Sequence, residues 1–211
     1  GLVQAQAQAG PIRIGSTLAL TGPLSATAQV HRIVGEIYVE QVNKRGGWLG
    51  RPLQWVLLDD QSKPELARTL YEQLITSDNV DLIQSPYATA SILAAMGVAQ
   101  RYNKVLLHTS FGIPKLAKYD MQFQTAGSPF DPENVWPNHI FDAAAKLPKP
   151  PKTIAIVTSK FPSVHAISVG AREVLKKRGL TEVLHLEYEF GNRDYGAIAS
   201  RVKEANPDFL W

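Results

Sequence analysis

The chain has 211 residues, with 22 Lys and Arg against 19 Asp and Glu, a formal net charge of +3 and no cysteine. The lack of cysteine excludes disulfides, thiolate metal sites and cysteine nucleophiles. A mild positive charge without a dense Lys/Arg stripe argues against nucleic acid as a partner. With 45% hydrophobic residues the chain can bury a sizeable core, and no apolar run approaches the ~20 residues that span a bilayer.

Residues 1–10 read as a tail: Ala5-Gln6-Ala7 and Ala7-Gln8-Ala9 fit the small-x-small pattern of a signal-peptidase site. The expectation is the remnant of an export signal, with a disordered tail as the alternative. Ile12 to Leu20 then reads as a buried strand stopped by Thr21-Gly22-Pro23. Val30, Ile33, Val34, Ile37 and Val42 recur at helical spacing, and the segment ends at Arg45-Gly46-Gly47. That spacing predicts a helix with one apolar, core-facing side. Trp48 to Pro52 is a tight turn into a second strand, Leu53 to Leu58. The acids Asp59 and Asp60 point in different directions and lack a third ligand at metal spacing, so a solvated strand end or a loop-anchoring hydrogen bond is expected. Pro64 suits the first turn of a helix, with Leu66, Leu70 and Leu74 on its apolar face.

Val80 to Ile83 is a short strand that breaks at Ser85-Pro86 and feeds a helix from Ala88 to Tyr102, with Ile92, Leu93, Met96 and Ala99 buried. Such a joint leaves backbone N–H groups unpaired at the first helical turn, where they and the helix dipole favour an anion. Thr89 and Ser91 add hydroxyls there. Val105 to Leu107 is another short strand, running out into His108-Thr109-Ser110-Phe111-Gly112. Two consecutive βα units of this kind lie side by side in a parallel sheet, with a crevice at the strand ends.

Met121 to Thr125 is a further strand, and Ala126 to Pro137, with three prolines, reads as a crossing between lobes. A helix follows from about Asn138 to Leu147, then the stiff Pro148-Lys149-Pro150-Pro151. The pattern restarts with strand Thr153–Thr158, loop Ser159–Ser163, a helix from Val164 to Arg178, strand Val183–Tyr188 and a helix from Tyr195 to Ala205. Asp208 to Trp211 reads as the beginning of a strand, so the chain is expected to be a fragment. Alternating β and α segments predict an α/β fold of two Rossmann-like lobes with parallel sheets: lobe 1 over 11–126 and an incomplete lobe 2 over 127–211.

Catalytic fingerprints are missing. There is no G-x-G-x-x-G after a strand, no G-x-x-x-x-G-K-[ST] and no G-x-S-x-G elbow. His31, His108, His139, His165 and His185 form no H-E-x-x-H or tight cluster. Neither cofactor, metal nor enzymatic activity is expected. His108 alone stands at a predicted site loop, where binding a ligand, a loop carbonyl or solvent are all open.

Thr21-Gly22-Pro23-Leu24-Ser25, the run Asn43 to Pro52, Asp59 to Pro64, Phe123-Gln124-Thr125 and Asn206-Pro207-Asp208 agree in order and spacing with a known family. From about Ile12 to Trp211 the chain resembles the periplasmic solute-binding proteins of branched-chain amino acid ABC transporters, the type I periplasmic-binding fold. The resemblance implies two lobes that close over a ligand, export to the periplasm, a monomer, and a membrane permease as partner. Carried over by position, it implies ligand contacts at Ala26, Thr27, Tyr87, Ala88, Thr89, Ser110, Phe111 and Gly112 in the first lobe. Phe161 and Ser163 are their counterparts in the second. Amino-acid binders of the family offer small hydroxyl residues at the second loop and a tyrosine near Ser163. Here Tyr87-Ala88 and Ser163 stand instead, with Phe111 and Phe161 nearby. The expected ligand is a small carboxylate, an amino acid or an aromatic acid. A sensory domain of the same fold and an enzyme on a doubly wound sheet are the rival readings.

Overall fold

The computed structural model describes residues 10–125 and 130–211. The expected export remnant and the first part of the expected crossing lie outside those residues. The chain divides into two compact units, Gly1–Phe111 with Ala117–Ala126, and Gly112–Leu116 with Gly127–Trp211. The short stretch Gly112–Leu116, expected within the first lobe, thus groups with the second.

The first unit is a parallel five-stranded sheet in the order β2-β1-β3-β4-β5. Its strands are β1 (Ile12–Leu18), β2 (Leu53–Asp59), β3 (Leu82–Gln84), β4 (Leu106–His108) and β5 (Gln122–Gln124). Helices α1 (Ser25–Lys44), α2 (Pro64–Thr76) and α3 (Thr89–Arg101) connect the first four. The main core lies between the sheet and the α2–α3 layer, where Tyr71, Leu74, Ile83, Ile92, Met96, Leu106 and Phe111 pack together. Alternation of side chains sends odd-numbered β1 residues to this layer: a Cβ on Gly15 would meet Val80 and Leu74.

Helix α1 departs from its predicted orientation. Its buried residues are Ala28 and Val42, while Val30, Ile33, Val34 and Ile37 are exposed. The reason is a close approach on the sheet side. Gly35 sits against the Trp55 ring, where a Cβ would come within 2.5 Å of two ring carbons, so the small-residue face turns inward. In α2 the fully buried residues are Ala67, Tyr71 and Leu74; Leu66 and Leu70 are half-buried.

The second unit has a parallel sheet in the order β7-β6-β8, built from β6 (Thr153–Ser159), β7 (Thr181–Tyr188) and β8 (Phe209–Leu210). Helices α4 (Pro132–Ala144), α5 (Pro162–Lys177) and α6 (Gly196–Ala205) accompany it. Phe141, Ile154, Ile156, Ala171, Val174 and Leu175 form its core, with Phe209 and Trp211 against them. Helix α4 starts earlier than the prolines suggested. Pro132 occupies the first turn, and Pro137 lies inside the helix. Pro137 has no N–H for the Glu133 carbonyl four residues back. Gly170 of α5 packs on that carbonyl so closely that a Cβ would lie 1.8 Å from its oxygen.

Candidate functional site

The carboxyl ends of β1, β3 and β4 are neighbours in the first sheet, and each feeds a loop that holds predicted site residues. After β1, the loop is fixed by acids at the end of β2. Thr21 donates from its hydroxyl to Asp59 at 2.7 Å and from its amide at 3.2 Å. Ser62 Oγ donates to the Thr21 carbonyl and accepts from the Leu24 amide. Burial raises the Asp59 carboxyl, but the Thr21 hydroxyl and the Gln61 and Thr21 amides outweigh that and leave it below its ordinary range. Of the two expected roles, the adjacent acids therefore take the loop-anchoring one. Helix α1 begins at Ser25, so Ala26 and Thr27 lie exposed in its first turn rather than in the loop.

A buried polar chain runs behind these loops. Thr17 Oγ1 donates to Asp60 at 2.7 Å, and the Thr17 amide donates to the Tyr71 hydroxyl at 3.4 Å. The Tyr71 hydroxyl donates to the Gln84 carbonyl at the last residue of β3. Burial holds the Tyr71 phenol protonated, and burial also raises Asp60, partly opposed by hydrogen bonds from Thr17 and Ser62. Together these groups tie β1, the end of β2, α2 and β3 at one edge. Sequence periodicity missed Tyr71, because an isolated tyrosine beside leucines carries no signal of its hydroxyl partner.

After β3, the Ser85 amide donates to the Leu107 carbonyl of β4 at 2.8 Å, which carries the pairing into the loop. Tyr87 follows, its ring 5.1 Å from that of His31 on α1; burial lowers the His31 pKa. Ala88 then takes φ +74° and ψ 147° as the cap position of α3, and no side chain caps that helix. Its amide donates to Ser110 Oγ at 3.2 Å. Thr89 and Ser91 are buried in the same first turn. The structure thus brings Tyr87, Ala88, Thr89 and Ser110 together.

His108 and Phe111 take a different position. Both are 1% exposed, their rings meet edge to face at 5.4 Å, and Phe111 belongs to the first-unit core. His108 Nε2 bonds to the Gln122 amide oxygen on β5, and its buried Nδ1 has no hydrogen-bond partner among the described residues. Phe111 therefore supports the β4 loop from behind instead of presenting a free aromatic face.

In the second unit, Phe161 is the cap position of α5 and Ser163 lies in its first turn, the helix starting two residues earlier than expected. The Phe161 amide donates to Ser159 Oγ at 3.1 Å, and its ring lies 4.9 Å from that of Phe190. Gly112 faces Ser163: a Cβ on Gly112 would stand 2.3 Å from the serine Cβ. No group of three or more metal-ligating side chains occurs among the described residues. Nor is any of their helices long and apolar enough to cross a membrane.

Residues 11–211 match the family model described as periplasmic binding protein. The chain belongs to the periplasmic binding protein family. It is 23% identical over 205 residues to the leucine-, isoleucine-, valine-, threonine- and alanine-binding protein of Pseudomonas aeruginosa, covering 96% of this chain and 53% of that protein. The branched-chain amino acid transporter substrate-binding protein of Streptococcus pneumoniae, solved with isoleucine, superposes with a TM-score of 0.83. The two are 21% identical over 95% of this chain and 56% of that one. An ABC-transporter solute-binding protein of Rhodopseudomonas palustris, solved with 3,4-dihydroxybenzoic acid, gives a TM-score of 0.77. It is 23% identical over 95% of this chain and 53% of that one. The chain spans about half the length of the curated relatives it matches. The curated relatives it matches are named as amino-acid-binding proteins. Its α/β fold with parallel sheets is that of the type I members.

Proposed function

We propose that the full-length protein is an exported, monomeric solute-binding component of an ABC importer that captures a small carboxylate, an amino acid or an aromatic acid, and presents it to the membrane permease. The observation that carries this reading is the neighbouring pair of strand ends where the Ala88 amide meets the Ser110 hydroxyl. Beside it lies the uncapped first turn of α3 with Thr89. Amide donors at a helix start, with hydroxyls that donate or accept, match the two oxygens of a carboxylate. Ala26 and Thr27, at the start of α1, and Tyr87 extend the polar and aromatic rim. His108 and Phe111 hold the β4 loop in place. Gly112, Phe161 and Ser163 furnish the second unit's contribution. Relatives that bind amino acids and a dihydroxybenzoate support a carboxylate as the common chemical denominator. Nucleic acid has no part in this reading.

The test is calorimetric titration of the full-length protein with isoleucine, benzoate and 3,4-dihydroxybenzoate. Binding of at least one, weakened by Ser110→Ala, is the expected result. Silence with every small carboxylate tried sinks the reading.

A further inference from the structure

Two half-buried rings stand next to the Ala88 amide with their polar atoms unused. The Tyr87 ring packs against the cluster of Leu18, Ala19 and Ala28. His31 lies one helical turn beyond Thr27 and Ala28 on α1. Its ring meets that of Tyr87 at 5.1 Å, the planes tilted by 45°. Among the described residues, no hydrogen bond engages either nitrogen of His31 or the Tyr87 hydroxyl. The charged side chains nearby on the helix are engaged elsewhere: Arg32 bonds Gln29 and pairs with Glu36. Burial lowers the His31 pKa, so at neutral pH the imidazole is uncharged, with one nitrogen a donor and the other an acceptor. A phenolic hydroxyl both donates and accepts, and so complements the imidazole and the Tyr87 hydroxyl together. An aliphatic side chain would shut water away from these groups and leave them unpaired, at a cost.

We propose that His31 is a specificity-determining residue of the first unit, and that with Tyr87 it selects aromatic acids bearing a ring hydroxyl over unsubstituted and aliphatic acids. The inference rests on the carboxylate reading above and adds the class of ligand to it. The tilted pair of rings offers the face and edge against which a planar ring packs. The adjoining Ala88 amide and Ser110 hydroxyl hold the carboxylate end. Tyr87 fixes the His31 ring from one side, and the imidazole nitrogens read the hydroxyl.

The experiment is calorimetric titration of the full-length protein and two variants with 3,4-dihydroxybenzoate, benzoate and isoleucine. His31→Phe keeps a ring against Tyr87 and removes the nitrogens, while Tyr87→Phe removes only the hydroxyl. The unaltered protein should bind 3,4-dihydroxybenzoate roughly tenfold more tightly than benzoate, the worth of two part-exposed hydrogen bonds, and isoleucine least. His31→Phe should weaken dihydroxybenzoate about three- to tenfold and leave benzoate within about twofold. Tyr87→Phe should shift the same ratio in the same direction. If His31→Phe does not fold in a thermal melt, His31→Ala is read by that ratio instead. A ratio of the two dissociation constants that His31→Phe leaves unchanged would overturn the proposal, even if both affinities fall together. So would equal affinity for the two aromatic acids in the unaltered protein, or tightest binding of isoleucine. In each of those cases a carboxylate still binds, and the broader reading stands. Silence with all three acids removes both.

Discussion

The amide of Ala88 donates to the hydroxyl of Ser110 at 3.2 Å, joining the loops that follow two adjacent strands. Ala88 reaches this position at φ +74°, in backbone space that favours glycine. The strain aims an N–H across the β3–β4 boundary, which links local backbone cost to the geometry of the proposed site.

Two substitutions separate strain from binding. Ala88→Gly relieves a cost of about 1–3 kcal/mol but adds about 0.5–1 kcal/mol of chain entropy on folding. The net expectation is a stabilisation of about 1 kcal/mol, or about 2–4 °C in Tm. If Ser110 donates to a carboxylate as proposed, Ser110→Ala should cost about 1.5–3 kcal/mol of binding, roughly ten- to a hundredfold in Kd. Calorimetry and thermal melts of both variants check this; a lower Tm for Ala88→Gly would contradict the strain argument.

Tyr71 has its hydroxyl sealed between Thr17 and Gln84. Tyr71→Phe leaves the part-buried Gln84 carbonyl without its donor and the buried Thr17 amide without its acceptor, with an expected loss of about 1–3 kcal/mol. Urea denaturation measures it. A change within error of zero would mean that water or another group satisfies the Gln84 carbonyl.

Asp60 gives a pH signature. Its folded pKa lies above the unfolded value, chiefly through burial. Its contribution is therefore complete below the unfolded pKa and is lost as pH rises through the folded pKa. Stability should rise as pH falls from neutral into that window, and Asp60→Asn should flatten the slope there. Denaturation midpoints in a pH series would show the same slope in both proteins if Asp60 were irrelevant.

Asp208 works in the opposite sense. The amides of Lys152 and Thr153 and the Thr153 hydroxyl bond its Oδ2 and hold its pKa down. Its contribution is present above the unfolded pKa and is lost as pH falls through the folded one. Asp208→Asn should destabilise the second unit at neutral pH, with the gap to wild type closing in strong acid. A gap constant across the series would assign the effect to something other than charge.

Gly112 and Ser163 are matched in size. Gly112→Ala places a methyl at 2.3 Å from the serine Cβ, an overpacking expected to cost about 1–3 kcal/mol. Ser163→Gly in the same chain should recover most of that. If the double variant is no more stable than Gly112→Ala alone, the two positions are not coupled.

Much of the fold was legible because strand identity is local. Short apolar runs ending in polar loops marked every strand of both sheets within a few residues. The pairing of the β3 and β4 ends followed from their order as βα units. Proline misled at α4, since Pro132 can start a helix and Pro137 can sit within one wherever a neighbour such as Gly170 packs on the freed carbonyl.

What the sequence by itself determined, then, was the alternation of strands and helices, the family motifs and the loops that carry Tyr87 and Ser110. These depend on residues near one another along the chain. Only the tertiary structure decided that α1 turns Gly35 to Trp55 and Val30 and Val34 outward, and that Phe111 and His108 lie behind the loop. It alone joined Tyr71 to Gln84. A periodic pattern locates an apolar side of a helix, but which side is buried depends on how closely a distant strand approaches, and that distance is not encoded in any single segment.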